Sequence, residues 1–248
     1  MKTPRIGCVK YLNARPLIHD WPGAVDFDHP SALCEKLARG NLDVALVSSI
    51  EYLRRPNYRI VDRVSISAEG PVYSVIVAHE QELSRMEEIG IDPASQTSSA
   101  LLRCLLAHRR LHPRLRNTDL QSVRLLIGDQ AIRFRKMHPE YRVWDLAEEW
   151  KNITALPFVF ALWLVRPEVA NAAEIAHRLR TLRDENLRRI DELIAQQSDF
   201  DAEFCGRYFR ENLRFDFGEQ EKAGLREFHR RCLACGIDVA RAAELNFV

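Results

Sequence analysis

Short runs of apolar residues alternate, along the first third of the chain, with segments in which apolar residues recur every three or four positions. A short apolar run rich in β-branched residues predicts a buried strand, and the three-to-four spacing predicts an amphipathic helix. The strands predicted in this way cover residues 5–12, 25–27, 43–48, 58–61 and 72–78. Between two of them, "SALCEKLARGNLD" predicts a helix that Ser31 caps and Gly40 ends. This alternation is typical of an α/β protein with a parallel sheet.

The central segment of the chain predicts a second, smaller unit. "EEIGIDPAS" indicates a strand that leads into a helix start, and "SSALLRCLLAHRRL" indicates an amphipathic helix. "SVRLLIGD" predicts a buried strand, and "VWDLAEEW" predicts the beginning of another helix. A long apolar strand follows at 156–166, and the remainder is predicted to be mostly helical, including one helix at 172–197 with a single apolar face.

Two long apolar strands, at 71–79 and 156–166, flank the central unit, and no flexible linker separates the units. A chain that leaves one domain, builds a second and returns makes two crossovers. We therefore predict an α/β, two-lobed protein with an interdomain cleft and two crossover strands. The predicted lobes are residues 1–79 plus 157–248 and residues 80–156. A cleft of this kind is the usual site for a small ligand.

The overall charge offers no field that would attract a polyanion, since the 248 residues carry a net charge of +1. The densest basic stretch, "HRRLHPRLR" at 108–116, has no interleaved aromatic residues, so we interpret it as a solvated helix end rather than a nucleic-acid contact. No apolar segment has the length of a signal peptide or a membrane span. We expect a cytoplasmic protein with no nucleic-acid or membrane partner.

The cysteines and histidines do not form a metal-binding pattern. Six scattered cysteines are expected to be free and mostly buried: Cys8, Cys34, Cys104, Cys205, Cys232 and Cys235. "CLAC" is a single CxxC without a second pair, and Pro113 interrupts the i, i+4 pair His108 and His112. P-loop, GxGxxG and GxSxG patterns are also missing from the sequence. We therefore predict neither a metal nor a cofactor.

Uncharged hydrogen-bonding residues and flexible positions cluster at the predicted strand ends and helix starts. They are Asn13, Ser48, Ser49, Gly70, Ser74, Ser95, Thr97 and Ser98. Each has a simpler structural interpretation, because Asn is common in turns and Ser and Thr commonly cap helices. Helix starts also attract anions, so a cleft lined by these groups would suit a small carboxylated ligand. Asp129 and Glu51 are carboxylates near the same elements, and a surface or supporting role is the simpler interpretation of both.

Seven motifs in the same order resemble the chorismate dehydratases of the futalosine route to menaquinone. They are "IGCVKYLNARPL", "GNLDVALVSSIEYL", "GPVYSV", "SQTSSALL", "LLIGDQAI", "DLAEEWKNITALPFVFALW" and "NLRFDFGEQEKAGLREF". The resemblance extends from residue 5 to about residue 230. One departure is Ala155, where that family often has glycine, which affects a loop rather than a catalytic group.

The resemblance implies a fold like that of type II periplasmic solute-binding proteins and the loss of water from chorismate, with no cofactor or metal. The product would be 3-(1-carboxyvinyloxy)benzoate. Asn13 and Ser74 match the residues associated with catalysis, and Thr97 and Ser98 match a pair expected to bind a carboxylate. The residues expected to bind substrate are Ser48, Ser49, Gly70, Ser95, Thr97, Ser98 and Asp129.

Several alternatives stay open at this point. The chain could be a non-catalytic binder of a small carboxylated ligand, the related 1,4-dihydroxy-6-naphthoate synthase, or the effector-sensing domain of a transcription regulator. The catalytic base is also open. The enolpyruvyl carboxylate of chorismate is tethered near ring C3 and is our first candidate, with Asp129 or Glu51 as the alternative if the protein supplies the base.

Overall fold

The fold contains two five-stranded sheets within the residues that the computed structural model describes, 3–92, 95–118 and 123–248. The strands are β1 (Ile6–Cys8), β2 (Val25–Phe27), β3 (Val44–Ser48), β4 (Arg59–Ala68), β5 (Val75–His79), β6 (Glu88–Ile91), β7 (Arg114–Asn117), β8 (Arg124–Ile127), β9 (Arg142–Asp145) and β10 (Phe158–Val165). The first sheet has the order β2-β1-β3-β10-β4, and the second has the order β7-β6-β8-β5-β9.

Ten α-helices are described between and after these strands. They are α1 (Arg15–Ile18), α2 (Pro30–Ala38), α3 (Ser49–Arg54), α4 (Gln96–His108), α5 (Gly128–Met137), α6 (Leu146–Thr154), α7 (Ala172–Arg188), α8 (Ile190–Ala195), α9 (Ala202–Arg207) and α10 (Glu219–Ala234). Single turns of 3₁₀-helix cover Leu12–Ala14 and Leu83–Arg85, and a π-helical turn covers Tyr208–Asn212. None of the helices in the described part of the chain is long and apolar enough to cross a membrane.

Both sheets are mixed, so the prediction of a parallel sheet is only partly correct. β1 is parallel to β2 and β3, whereas β10 is antiparallel to β3 and β4. In the second sheet β6 is parallel to β7 and β8, and β5 is antiparallel to β8 and β9. The antiparallel members are the strands that enter each sheet directly from the other one. They do not arrive through the helical crossover that makes neighbouring strands parallel.

The chain passes twice between the sheets, at residues 69–74 and at residues 155–157. This is the two-lobed α/β architecture that the pattern of apolar runs predicts. The strand at 75–79 pairs with the second sheet, although the predicted boundary placed it in the first lobe. An apolar run does not reveal its pairing partner, because all the partners of β5 lie further along the chain. The lobe boundaries themselves stay a prediction.

Strand lengths differ from the prediction where pairing partners are short or long. The first strand ends at Cys8 rather than residue 12, because it pairs with neighbours over only two or three residues, and a helical turn follows. β4 continues to Ala68 rather than ending at 61, because β10 gives it a long antiparallel partner. The predicted strands at 25–27, 43–48 and 156–166 are confirmed to within two residues.

Helix ends depend on local chemistry that the prediction found only in part. α2 begins at Pro30 with His29 before it, not with Ser31 as a cap, since proline at the first helical position lacks the N–H that a cap would satisfy. Gly40 ends this helix as predicted, with a positive φ of 77°. The single helix predicted at 172–197 is two helices, α7 and α8, with a break at Arg189.

Two further segments differ from their predicted type. "VWDLAEEW" contains the end of β9 before α6, and Asp145 caps the helix by accepting the N–H groups of Ala147 and Glu148. In "HRRLHPRLR" the helix ends at His108, and a short strand begins at Arg114. The solvated-helix interpretation is therefore correct only for the first part of this stretch. The cysteines are free, and all but Cys235 are buried, as expected.

Candidate functional site

A narrow cavity of about 70 Å³ lies between the two sheets, and we call it the cleft cavity. The first sheet contributes the chain after β1, the end of β3 and the middle of β10. The second sheet contributes the segment before β5 and the starts of α4 and α5. Besides the phenol of Tyr11, its polar side chains are six of the residues predicted from the sequence: Asn13, Ser48, Ser74, Ser95, Thr97 and Ser98. The fold therefore brings together groups that lie as much as 85 positions apart in the sequence.

The other predicted residues lie outside the lining of this cavity. The buried Ser49 hydroxyl donates to the carbonyl oxygen of Val159 at 2.7 Å, which joins α3 to β10. Gly70 lies in the first crossing with a φ of 130°. Asp129 lies beside the cavity and accepts the backbone N–H of Leu12 at 2.9 Å. Glu51 is buried and paired with Arg55 at 2.6 Å.

The two sheets approach each other closely at the cleft cavity. Thr97 Oγ1, at the start of α4, accepts the backbone N–H of Ile50 at 3.2 Å. Asp129 makes the corresponding bond to Leu12 on the other side. The ring of Tyr11 lies against Gly128, where a Cβ atom would meet the ring at 3.0 Å. The positive φ of Gly128, 55°, and this contact both favour glycine at that position. The two sheets are therefore in direct contact beside these polar residues.

Capping does not explain the serines that precede α3 and α4. Ser48 and Ser95 occupy the positions before these helices, but neither side chain makes a capping hydrogen bond. The buried Ser95 Oγ has no hydrogen-bond partner in the described part of the chain. Because an unpaired polar group in a protein interior is costly, such a hydroxyl in a cavity wall indicates a ligand. Ser48 and Ser95 therefore do not act as caps, although capping is the simpler interpretation of hydroxyl residues at helix starts.

Asn13 presents its amide to the same cavity. The one-turn helix Leu12–Ala14 places the side chain there, between the end of β1 and the proline of α1. Its Oδ1 atom is buried, and no described residue makes a hydrogen bond to it. A turn function for Asn13 would use that oxygen locally. The geometry therefore favours a ligand-directed amide over a turn residue.

Ser74 is held in the cavity wall by unusual backbone geometry. The preceding residue, Tyr73, has a positive φ of 67°, and its N–H donates to Asp145 Oδ2 at 2.7 Å. The carbonyl oxygen of Ser74 accepts the N–H of Gly128 at 2.7 Å. A bulky residue at positive φ is strained, and such strain is most often retained where the position of the chain matters for function.

Tyr208 is a neighbour of Ser74 that the sequence did not reveal. Its hydroxyl donates to Ser74 Oγ at 2.7 Å, and its side chain is fully buried. The residue begins the π-helical turn that follows α9. In the sequence, Tyr208 stands out only as part of an aromatic run in a segment predicted to be helical. Its contact with Ser74 could not be predicted, because 134 positions separate the two residues.

The cleft cavity is lined without ionised side chains. None of the described residues around it is an aspartate, glutamate, histidine, lysine or arginine. Its titratable member is Tyr11, whose pKa is raised to about 12 by burial and then by the charges of Asp92 and Asp129, so the phenol is neutral at physiological pH. Burial also raises the pKa of Asp129 and of Glu51. Across 3–92, 95–118 and 123–248, three or more possible metal ligands are nowhere grouped around a common point.

A wider groove of about 580 Å³ adjoins the cleft cavity and shares Val9 and Tyr11 with it. Its lining includes Lys10, Arg15 and His19. This groove is larger, but all six predicted polar residues named above lie in the narrower cavity. We therefore take the cleft cavity as the candidate active site.

Comparison with known families gives one consistent result along the chain. The model of a family described as menaquinone biosynthesis matches residues 4–234. The chorismate dehydratase of Thermus thermophilus is 30% identical, with 92% of this chain and 94% of that protein covered. The chorismate dehydratase of Campylobacter jejuni is 28% identical, with 92% of each chain covered.

Solved structures with little sequence similarity share the fold. A protein from Archaeoglobus fulgidus superposes with a TM-score of 0.76 at 18% identity, covering 94% of this chain and 97% of that one. The periplasmic aliphatic sulphonate binding protein of Escherichia coli superposes with a TM-score of 0.65 at 14% identity, covering 98% and 96%. The periplasmic-binding-protein-like fold implied by the sequence motifs is confirmed.

Proposed function

Because the chain belongs to the menaquinone biosynthesis family, with chorismate dehydratases similar to it over nearly its whole length, we propose that it removes water from chorismate. The product is 3-(1-carboxyvinyloxy)benzoate. The single observation that carries the mechanism is the absence of ionised side chains among the described residues that line the cleft cavity. A reaction in this cavity therefore depends on groups that orient the substrate and on groups the substrate itself carries.

Chorismate is a dianion with an apolar cyclohexadiene ring, and the cavity offers suitable partners for both the carboxylates and the ring. Helices α4 and α5 begin at the cavity, and helix starts carry partial positive charge and free N–H groups that favour carboxylates. The hydroxyls of Ser95 and Ser98 lie at the start of α4. Apolar side chains, among them Ile66, Val75 and Phe160, supply surfaces for the ring. We assign carboxylate binding to the α4 start.

The proton on ring C3 leaves to the substrate's own enolpyruvyl carboxylate. As it leaves, its bonding electrons complete the aromatic ring and the C4–oxygen bond breaks. The departing hydroxide then takes the proton from the enolpyruvyl carboxylic acid, so that water leaves and the carboxylate is restored in the product. A base tethered to its own substrate has an effective molarity that reaches about 10⁵ M or more in well-oriented cases, so a weakly basic carboxylate is sufficient. Asp129 and Glu51 are the weaker candidates, because both lie off the cavity lining and already have protein partners.

Asn13 and Ser74 act by geometry in this proposal. The Asn13 amide orients the enolpyruvyl carboxylate, and the Ser74 hydroxyl donates to the departing C4 oxygen. Donors fixed where negative charge develops stabilise the transition state more than the ground state. Neither group gains or loses a proton permanently, and no cofactor or metal takes part. Treatment with EDTA is accordingly expected to leave the rate unchanged.

The test is to incubate the purified protein with chorismate and identify the product by mass spectrometry. A second substrate carries a neutral amide in place of the enolpyruvyl carboxylate. We expect it to bind, measured by competition with chorismate, but not to lose water. Dehydration of the amide at a normal rate would instead assign the base to the protein, with Asp129→Asn and Glu51→Gln as the variants to compare.

A non-catalytic binder is the second candidate, because the fold is shared with the sulphonate binding protein of Escherichia coli. It predicts saturable binding of chorismate with no product. The related 1,4-dihydroxy-6-naphthoate synthase activity predicts that chorismate is not consumed at all. The same assay distinguishes these outcomes from dehydration.

A further inference from the structure

Tyr208 approaches the cleft from outside the cavity lining. It belongs to the C-terminal segment that follows the second crossing, and it reaches Ser74 at the end of the first crossing. The phenol oxygen lies 2.7 Å from Ser74 Oγ. The side chain is fully buried, so this hydrogen bond is shielded from water. A buried hydrogen bond of this kind has more influence on geometry than one at the surface.

The direction of this bond determines what Ser74 can do. Tyr208 donates, so one lone pair of Ser74 Oγ is occupied and the hydroxyl proton of Ser74 is directed elsewhere. Burial raises the pKa of the Tyr208 phenol, and Ser74 and Asn13, as hydrogen-bonding neighbours, lower it by less. The phenol therefore keeps its proton at physiological pH and can donate it to Ser74 Oγ.

The ring of Tyr208 is fixed by its neighbours. It stacks on Phe204 with centroids 5.5 Å apart and planes 16° from parallel. Phe204 also packs on Tyr73, with centroids 5.1 Å apart. Tyr73 in turn sets the backbone of Ser74 through its positive φ and its bond to Asp145. Tyr73 thus fixes the backbone of Ser74 and Tyr208 fixes its side chain, and the rings of both tyrosines pack on Phe204.

We propose that Tyr208 is a positioning residue for the dehydration, which holds the Ser74 hydroxyl so that its proton points at the departing C4 oxygen of the substrate. The role rests on the proposed function of the cleft cavity. It concerns the transition state rather than substrate affinity, because Tyr208 is not among the residues that line the cavity. Loss of the phenol hydroxyl therefore lowers kcat and leaves KM nearly unchanged.

The experiment compares two variants that each remove one buried phenol hydroxyl. Tyr208→Phe keeps the ring and its stacking, and we expect kcat to fall about tenfold, which is the loss of one directing hydrogen bond. Tyr52→Phe is the matched control. Tyr52 is equally buried, and its hydroxyl donates to the carbonyl of Glu244 and accepts the N–H of Asn246, away from the cleft. Its kcat is expected to match that of the wild type, whatever stability it loses.

A double-mutant cycle shows whether Tyr208 acts through Ser74. If it does, adding Tyr208→Phe to Ser74→Ala causes no further loss of kcat, whereas a separate structural effect would multiply the two losses. A wild-type kcat in Tyr208→Phe, an equal fall in Tyr52→Phe, or multiplying losses in the cycle would each overturn the role while leaving the dehydratase function intact. Absence of chorismate turnover in the wild-type protein would overturn the proposed function, and this role with it.

Discussion

The chain crosses between its two sheets twice, and the two crossings are held in physically different ways. The first, residues 69–74, is fixed mainly by hydrogen bonds to polar side chains of both lobes. The second, residues 155–157, also has hydrogen-bonded backbone groups, but aromatic rings and α10 pack closely around it. Both carry a non-glycine residue at positive φ, Tyr73 at 67° and Ala155 at 59°. Only the first crossing delivers a side chain to the cleft cavity.

In the first crossing, backbone groups are matched one by one with polar partners. Asp145 accepts the N–H groups of Val72 and Tyr73 at 3.2 and 2.7 Å, and Asn212 donates to the carbonyl of Pro71 at 2.8 Å. Burial raises the pKa of Asp145, while the N–H groups that it accepts lower it by less. Hydrogen bonds are directional, so they can hold one residue in a strained conformation. This is what the presentation of Ser74 requires.

The second crossing is enclosed by aromatic rings. Trp150 donates its indole N–H to the carbonyl of Pro157 at 3.2 Å, and its ring lies 5.2 Å from Phe158 and 6.1 Å from Phe228. Gly224 of α10 lies so close to Pro157 that a Cβ atom would come within 2.1 Å of its carbonyl oxygen. Packing excludes water over a wide area but does not direct any single group. This crossing therefore serves stability, whereas the first presents Ser74 to the cleft cavity.

The largest effect is expected at the end of the first crossing. Ser74→Ala should lower kcat by about 10² to 10³, the usual cost of losing a donor to developing charge. It should also lower thermal stability moderately, because the buried Tyr208 hydroxyl loses its acceptor. Leu156→Ala in the second crossing is the counterpart. It should reduce stability only modestly and leave kcat within about twofold of wild type, because the side chain is half-buried and lies outside the cavity lining. Steady-state kinetics with chorismate and thermal unfolding of both variants measure the contrast, and equal kinetic losses would contradict it.

Gly224→Ala should produce the largest loss of stability. The new methyl group meets backbone, which cannot rotate away, so we expect the free energy of unfolding to fall by about 3 kcal/mol. Gly206→Ala is the control, because its Cβ would meet only the end of the flexible Arg210 side chain at 3.3 Å. Urea unfolding should place the control within about 1 kcal/mol of wild type. Similar losses in both variants would show that α10 does not fix the second crossing.

Ala155→Gly should stabilise the protein slightly. A non-glycine residue at the left-handed φ of Ala155 costs about 1–2 kcal/mol. Glycine removes this cost, but it also gives the unfolded chain more conformational freedom, which offsets part of the stabilisation. We expect a net gain of about 0.5–1 kcal/mol in urea unfolding, with unchanged kcat. Tyr73→Gly sharpens the comparison, since it relieves a similar strain but removes the ring that packs on Phe204. A stabilised and fully active Tyr73→Gly would show that strain in the first crossing has no function.

The smallest effect concerns the ion pair that joins the crossings. Lys151 Nζ lies 2.6 Å from Glu69, and Arg214 also pairs with it. The hydrogen bond from Lys151, with the nearby Arg214 charge, holds the pKa of Glu69 below its usual range despite some desolvation. The carboxylate of Glu69 thus binds a proton more readily in the unfolded chain than in the folded protein. The stabilisation is present above the unfolded pKa and is lost as the pH falls through the lower folded pKa.

Glu69→Gln should therefore cost about 0.5 kcal/mol near neutral pH, a small value because the pair is partly exposed. In strong acid, where the wild-type carboxyl is also protonated, the difference should disappear. Urea midpoints of both proteins across the acid range measure it. A difference that persists unchanged to the lowest pH would show that the charge of Glu69 is not the cause.

The sequence by itself determined the elements whose signals are local. Apolar runs located β2, β3 and β10, the helical spacing located α2, α4 and α7, and Gly40 ended α2 as predicted. These features depend on residues within a few positions of one another. The predicted strand ends and helix starts also led to the six polar residues that line the cleft cavity, because these are local features too.

Tertiary structure decided everything that depends on a distant partner. The sheet that β5 joins, the antiparallel direction of β10 and the full length of β4 follow from pairing between segments remote in sequence. The same holds for Asp129, which bonds to Leu12 rather than lining the cavity, and for Tyr208, which reaches Ser74 across 134 positions. Local free energies fix each element, but only the packing of the whole chain decides which side chains meet, so no local pattern could assign these two contacts.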